Sequence, residues 1–155
     1  RVSSSVAARA VETMAMLNRG AAEAAAEVGI TAATDVTGFS LLGHAIEMAD
    51  GAGLGLELWS NAMPVLDGAT AALVEGIAPG ATRRNLAHFG ARVDWDSSVD
   101  AIQRQLMGDP QTSGGLLLAV SADRRDALID ALKARGALAA APVGVLTAGK
   151  EIRVR

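Results

Sequence analysis

The chain has 155 residues, of which 50% are hydrophobic and 20% charged, with a formal net charge of −3 and no cysteine. A chain of this length forms about one domain, and without cysteine it has no disulfide, thiolate metal site or cysteine nucleophile. Its two lysines and twelve arginines are not clustered, which argues against a nucleic-acid partner, and its apolar runs are shorter than the roughly 20 residues that cross a membrane.

Apolar periodicity and turn residues predict alternating helices and strands. In chain order, these are helices over 6–19 and 21–28, a strand over 30–36, a helix over 39–49, a strand over 54–58, a helix within 64–78, a short helix over 82–90, a strand over 91–95, a helix over 97–107, a strand over 116–120, a helix over 121–135, and strands over 142–146 and 152–154. Gly20, Gly29 and Gly51 are expected to end helices. The continuously apolar run 116–120 favours a central strand buried on both faces. The last two strands are predicted to form a hairpin, within a mixed sheet.

The chain begins with Arg1 rather than Met, and no signal-like hydrophobic segment follows it. We therefore expect a piece of a longer protein. In this interpretation, residues 1–5 are the end of a linker and residues 6–155 form one domain. Part of the function would then belong to a segment upstream.

The first polar segment that contains glycine is residues 34–40, Thr-Asp-Val-Thr-Gly-Phe-Ser. It places Asp35 at the end of a predicted strand and before a helix, where a carboxylate can bind a hard cation or phosphate-bound Mg²⁺. The alternative is that Asp35 or Thr37 simply caps the helix, and the geometry alone favours that alternative. His44, three residues before Glu47, is expected to form hydrogen bonds rather than to bind a metal.

Two further polar segments could contact phosphate. Residues 109–115, Asp-Pro-Gln-Thr-Ser-Gly-Gly, offer hydroxyls and backbone amides, although they lack the lysine and spacing of a Walker loop. The alternative is a tight crossover whose glycines permit close backbone packing. Residues 79–85, Pro-Gly-Ala-Thr-Arg-Arg-Asn, could face an anion, but such arginine pairs are most often solvated. Spacing alone therefore indicates an incomplete Mg²⁺–phosphate site.

The same segments also resemble a known family. Residues 33–44 with Glu47-Met48-Ala49, and residues 109–119, are similar to two signatures of selenophosphate synthetase (selenide, water dikinase). Residues 63–66 and 79–85 occur in the order that this family has. The resemblance covers essentially the whole chain, but only the C-terminal domain of that enzyme, whose fold is shared with aminoimidazole ribonucleotide synthetase.

This resemblance implies an α+β fold, a three-layer α/β/α domain with a mixed β-sheet that is partly ferredoxin-like. It also implies a cytoplasmic, homodimeric full-length enzyme that converts selenide, ATP and water into selenophosphate, AMP and phosphate. The alternatives are another ATP-using enzyme of the superfamily, such as a thiamine-monophosphate kinase or a hydrogenase-maturation protein, and a non-catalytic binding module. Both signature motifs are present in full, which argues against the other enzymes. The presence of Asp35 and of the motif at residues 109–115 also argues against a non-catalytic binding module.

The resemblance also assigns site residues. The aspartate of the family motif that matches Asp35 is an Mg²⁺ ligand at the ATP phosphates, which favours the metal role over the cap. Five residues match motifs near those phosphates and are expected to contact or support them: Thr82, Asn85, Thr112, Ser113 and Gly114. The family's catalytic cysteine or selenocysteine, its lysine and most of its Mg²⁺-binding aspartates belong to the N-terminal domain. The present chain is therefore expected to hold no catalytic residue and to be inactive alone.

Two positions depart from the family pattern. Ser40 stands where the family usually has glycine, and Ala81 stands where it often has a second glycine. A Cβ atom limits positive φ angles and close backbone approach, so either residue could tighten a loop near phosphate. Both are expected to be tolerated.

Overall fold

A computed structural model describes residues 2–155. The α-helices within these residues are α1 (Ser4–Ala15), α2 (Arg19–Glu27), α3 (Ser40–Ala52), α4 (Ala69–Val74), α5 (Gly80–His88), α6 (Ala101–Met107) and α7 (Arg125–Ala134). The strands are β1 (Ala32–Asp35), β2 (Gly55–Leu58), β3 (Val93–Trp95), β4 (Leu116–Ala119), β5 (Gly144–Thr147) and β6 (Ile152–Val154). Each predicted helix and strand is present, although several ends differ. Over residues 2–155, no helix has both the length and the apolar character needed to cross a lipid bilayer.

The larger sheet has four strands in the order β3-β6-β2-β5. Strand β2 is antiparallel to β5 and parallel to β6, and β6 is parallel to β3, so the predicted mixed sheet is confirmed. The predicted hairpin of the last two strands is wrong, because β2 lies between them. Leu56 of β2 pairs with Leu146 on one side and with Ile152 on the other. This insertion gives the buried backbone of β2 hydrogen-bond partners on both edges.

The smaller sheet consists of β1 and β4, paired antiparallel with Ala32 opposite Ala119 and Asp35 opposite Leu116. The prediction that β4 is a central strand buried on both faces is wrong for the part of the chain that the structure describes. Its residues are half-buried, and β1 is their one strand neighbour there. An apolar run shows that a strand avoids water, but it does not show which elements cover it.

Helix α3 joins the two sheets, because it packs against both β1 and β2. Leu42, Ala45, Ile46 and Ala49 recur at helical spacing and are buried. The core also contains buried residues of other elements: Leu56, Leu58, Phe89, Val99, Met107, Ile152 and Val154. The arrangement confirms the predicted α+β class.

The first helix begins earlier than predicted. The side chain of Ser3 caps α1 by accepting a hydrogen bond from the backbone N–H of Val6 at 3.3 Å. Ser4 and Ser5 therefore belong to α1, whereas the sequence assigned them to a linker.

Two of the three predicted helix-ending glycines differ in the structure. Gly29 follows α2 with φ +74°, as predicted. Gly20 instead lies inside α2, where an added Cβ would be 3.1 Å from the carbonyl oxygen of Arg135. Its small size lets α2 pack closely against the end of α7. Gly53 rather than Gly51 ends α3, with φ +67°.

Candidate functional site

The three polar segments of the sequence analysis lie against one another. They are the Asp35 loop (residues 34–40), the α5 segment (residues 79–85) and the glycine loop (residues 109–115). The backbone N–H of Gln111 donates to the carbonyl oxygen of Thr37 at 3.0 Å, and that of Val36 donates to the carbonyl oxygen of Gly115 at 2.9 Å. The Val36 bond extends the β1–β4 register by one residue pair, and the Gln111 bond joins the two loops beyond it, so two segments far apart in sequence form one site.

Asp35 is the last residue of β1, and its side chain is exposed. Within residues 2–155, its carboxylate accepts no hydrogen bond and forms no ion pair. The residue at the N-cap position of α3 is Phe39, and no side chain caps this helix. The alternative in which Asp35 or Thr37 caps α3 is therefore wrong, and the Asp35 carboxylate is free to bind a ligand.

His44 forms a hydrogen bond with Thr37 and lies close to the carboxylate of Glu47. Its Nε2 lies 3.3 Å from Oγ1 of Thr37, and its Nδ1 lies 3.3 Å from Oε2 of Glu47. The predicted hydrogen-bonding role is confirmed, and the contact with Thr37 fixes the Asp35 loop to α3. No group of three or more His, Cys, Asp or Glu side chains over residues 2–155 could hold a metal ion. A metal at Asp35 would therefore need ligands beyond these side chains.

The glycine loop presents unbonded backbone donors. Thr112 is exposed, and Ser113 and Gly114 are half-buried. In the part of the chain that the structure describes, the backbone N–H groups of these three residues have no hydrogen-bond acceptor. Three consecutive amides with two nearby hydroxyls are the kind of donor set that binds an anion.

Gly114 is also required for backbone packing. A Cβ added at Gly114 would lie 2.2 Å from the carbonyl oxygen of Val36, far inside van der Waals contact. Its own carbonyl oxygen accepts a hydrogen bond from Nδ2 of Asn18 at 2.8 Å. The alternative in which the glycines permit close backbone packing is confirmed for Gly114, whereas a Cβ added at Gly115 would meet no atom within 4 Å.

Thr82 and Asn85 lie one turn apart on α5, and both are buried, with exposed fractions of 2% and 7%. Oγ1 of Thr82 donates to Oδ1 of Asp109 at 3.0 Å. Nδ2 of Asn85 donates to the carbonyl oxygens of Gly38 at 3.0 Å and of Gly108 at 3.1 Å. Their polar atoms therefore contact the two loops, which favours the supporting role over direct contact with a phosphate.

Asp109 takes part in the site in a way that the motif spacing does not indicate, since it lies 27 residues from its partner Thr82. Burial raises the pKa of Asp109, while hydrogen bonds from Thr82 and Gln111 partly oppose this rise. Nε2 of Gln111 lies 3.2 Å from Oδ2 of Asp109. The carboxylate therefore connects α5 to the base of the glycine loop.

The two departures from the family pattern have different structural consequences. Ser40 is completely buried and has φ +67°, the one positive φ of a non-glycine residue within residues 2–155. Its hydroxyl donates to the carbonyl oxygen of Phe39. Ser40 thus occupies a backbone conformation that favours glycine. Ala81 lies inside α5 without a positive φ, so its Cβ causes no such strain.

Comparisons with known proteins agree with the motifs. The family described as "AIR synthase related protein, C-terminal domain" matches residues 3–155. Three similar proteins share the name "Selenide, water dikinase". That of Yersinia pseudotuberculosis serotype I is 42% identical over 144 residues, which cover 93% of this chain and 40% of the relative. That of Carboxydothermus hydrogenoformans is 38% identical over 149 residues, covering 96% and 43%. That of Pseudomonas straminea is 41% identical over 139 residues, covering 90% and 39%. The chain spans about 40% of the length of these relatives.

Proposed function

The chain belongs to the family of AIR synthase related proteins, C-terminal domain, and we propose that it is the C-terminal domain of an ATP-dependent selenophosphate synthetase. The complete enzyme would convert selenide, ATP and water into selenophosphate, AMP and phosphate. The relatives described above carry the name selenide, water dikinase, which supports this activity over the thiamine-monophosphate kinase and hydrogenase-maturation alternatives.

The contact between the Asp35 loop and the glycine loop is the main observation that supports the proposal. These two segments hold the family signatures, and two backbone hydrogen bonds join them directly. The joined loops offer a free carboxylate at Asp35 and unbonded amides at Thr112, Ser113 and Gly114. A carboxylate beside anion-binding amides suits a nucleotide phosphate with its counter-ion.

The residues at Asp35 fit Mg²⁺ as one part of its ligand set. Mg²⁺ in nucleotide sites is usually held by one or two carboxylates together with phosphate oxygens and water, and a single exposed carboxylate meets that requirement. When bound, Mg²⁺ would neutralise negative charge on the phosphates. Asp35 would orient it, and the N-terminal domain of the same protein would supply the remaining carboxylates and the catalytic groups. A cytoplasmic location and a homodimeric enzyme belong to the same proposal.

Substitution of Asp35 tests the metal role. In a protein that contains both this domain and the N-terminal domain, Asp35→Asn should raise the Mg²⁺ concentration needed for half-maximal AMP formation by at least about tenfold, because it removes an anionic ligand. Asp67→Asn is a matched control at another exposed aspartate, outside the three segments. Unchanged Mg²⁺ dependence and turnover in Asp35→Asn would contradict the proposed role.

The present chain alone provides a second test. It should form no AMP from ATP and selenide, because the proposed catalytic groups lie in the N-terminal domain. Selenide-dependent AMP formation by residues 1–155 would show that this division of labour is wrong.

A further inference from the structure

We propose that Asn85 is a positioning residue that holds the Asp35 loop in register with the glycine loop. The structural part of this inference stands on the contacts of Asn85 alone. Its effect on nucleotide use depends on the function proposed above.

The side-chain NH2 group of Asn85 is fully engaged with the backbone. Its nitrogen carries two hydrogens, and it contacts the carbonyl oxygen of Gly38 at 3.0 Å and that of Gly108 at 3.1 Å. Gly38 belongs to the Asp35 loop, and Gly108 directly precedes the glycine loop. No hydrogen of this NH2 group remains to be donated to a ligand, so its nitrogen acts on the site through the two loops.

Close packing of α5 allows this short side chain to reach both loops. A Cβ added at Gly108 would lie 2.8 Å from Cγ of Leu86 and 3.4 Å from the carbonyl oxygen of Thr82. The absence of a side chain at Gly108 therefore lets α5 approach the backbone directly. Asn85 is then within hydrogen-bond reach of the exposed residue Gly38 and of the buried residue Gly108, whose carbonyl oxygen would otherwise lack a partner in the interior.

The chemistry of the contact requires an asparagine. An ionised aspartate of the same shape has no hydrogen to donate, and it would face two carbonyl oxygens. Leucine has a similar size but no donor, and glutamine is one methylene longer in a tightly packed position. Thr82 on the same face of α5 adds a second attachment through Asp109. Helix α5 thus holds the start of the glycine loop at Gly108 and Asp109, and the Asp35 loop at Gly38.

Amide hydrogen exchange on the present chain tests the inference without any assay of activity. Asn85→Ala should speed exchange at the amides of Val36 and Gln111 about tenfold, because these amides form the two bonds between the loops. The amide of Leu56, which donates to Glu151 in the larger sheet, should keep its rate and serves as an internal reference. Asn61→Ala is the matched control, since Asn61 is exposed and lies outside the site.

A milder variant keeps the test decisive if Asn85→Ala does not fold. Asn85→Ser retains one donor and should speed exchange at Val36 and Gln111 by a smaller factor. Parent rates at both amides in a folded Asn85 variant would overturn the inference. Equal acceleration at Leu56 would also overturn it, because the effect would then be global.

The reaction gives a further readout in a protein with both domains. Asn85→Ser should raise KM for Mg²⁺–ATP several-fold more than it lowers kcat, because the loops that bind phosphate are displaced while the catalytic groups are not. An equal loss in kcat at unchanged KM would overturn the positioning role. Absence of selenide-dependent activity in the parent protein would refute the proposed function instead, and the exchange result would still decide the contact of Asn85 with the loops.

Discussion

The hydroxyl of Thr82 donates a hydrogen bond of 3.0 Å to Oδ1 of Asp109, and it joins a buried helix residue to a half-buried carboxylate. Burial raises the pKa of Asp109, and the bonds from Thr82 and Gln111 only partly oppose this rise. The fold therefore disfavours the ionised form of Asp109 relative to the unfolded chain, and this preference can be measured as a dependence of stability on pH.

Asp109→Asn should become more stable relative to the parent protein as pH rises. The pKa of an aspartate in an unfolded chain is about 3.9, and the pKa of Asp109 in the folded protein is raised above its unfolded value. Between the two pKa values the folded parent binds more protons than the unfolded chain, so its stability falls with rising pH. Asparagine does not titrate and lacks this contribution. Urea unfolding from pH 4 to 7 measures the difference between the two proteins.

The control for this experiment is Asp130→Asn, an exposed aspartate on α7. It makes the same chemical change at an exposed position and is unfolded over the same pH range for comparison. A difference for Asp109→Asn that stays constant, or that changes in the opposite direction, would contradict a raised pKa at Asp109.

Thr82→Val should remove the hydrogen bond between Thr82 and Asp109 by changing the donor instead of the acceptor. The substitution keeps the shape of the side chain but removes the donor to Asp109, and we expect a loss of about 1 kcal/mol in the free energy of unfolding at pH 7. Thr70→Val, at an exposed position of α4, should change stability by less than about 0.5 kcal/mol. Chemical denaturation of both variants provides the comparison, and equal effects would show that the Thr82 bond contributes little.

Ser40→Gly should stabilise the protein, although most substitutions by glycine do the opposite. Ser40 has φ +67°, and an L-residue in this conformation costs about 1–2 kcal/mol. Glycine removes that strain but adds roughly 0.5–1 kcal/mol of backbone entropy in the unfolded chain. We expect a net gain of about 0.5 kcal/mol, measured by urea unfolding.

Ser97→Gly is the matched control for Ser40→Gly, because Ser97 is exposed and has no positive φ. It should lose about 0.5 kcal/mol, so that the same chemical change has opposite signs at the two positions. Ser40→Val should lose at least about 2 kcal/mol, since a branched side chain suits neither the positive φ nor the buried position. A stability loss in Ser40→Gly similar to that in Ser97→Gly would argue against strain at Ser40.

The sequence predicts the order and type of the elements well, because apolar spacing and turn residues are local properties. The partners of strands are not local. The short turn around Gly149 suggests a hairpin, but β2 separates β5 and β6. The apolar run of β4 suggests burial on both faces, but its residues are half-buried and β1 is its partner. In both cases the competing segment lies far away along the chain.

The sequence predicts which segments form the candidate site, but it does not predict which atoms contact one another there. The motifs identify Asp35, Thr82 and Asn85 as residues near one site. They do not indicate that Asn85 donates to backbone carbonyls, because its two acceptors lie 47 and 23 residues away. Nor do they show that Asp35 is free of a capping role, since this depends on the backbone at Phe39. Such contacts arise only once the folded elements have packed.

Gly114→Ala and Gly115→Ala should differ sharply although the two glycines are adjacent. A Cβ at Gly114 would lie 2.2 Å from the carbonyl oxygen of Val36, so the backbone of one loop must move. A Cβ at Gly115 would meet no atom within 4 Å, and neither residue has a positive φ. We expect Gly114→Ala to lose about 2 kcal/mol of unfolding free energy and Gly115→Ala to change it by less than about 0.5 kcal/mol.

Thermal or urea unfolding measures this difference, and amide exchange locates it. Because Gly114 packs on Val36, the Val36 amide should exchange faster in Gly114→Ala but not in Gly115→Ala. The bond from Asn18 to the carbonyl oxygen of Gly114 should weaken in the same variant, since that carbonyl moves with the loop. If both alanine variants prove equally stable, the two loops are not packed as closely as the distance between Gly114 and Val36 requires.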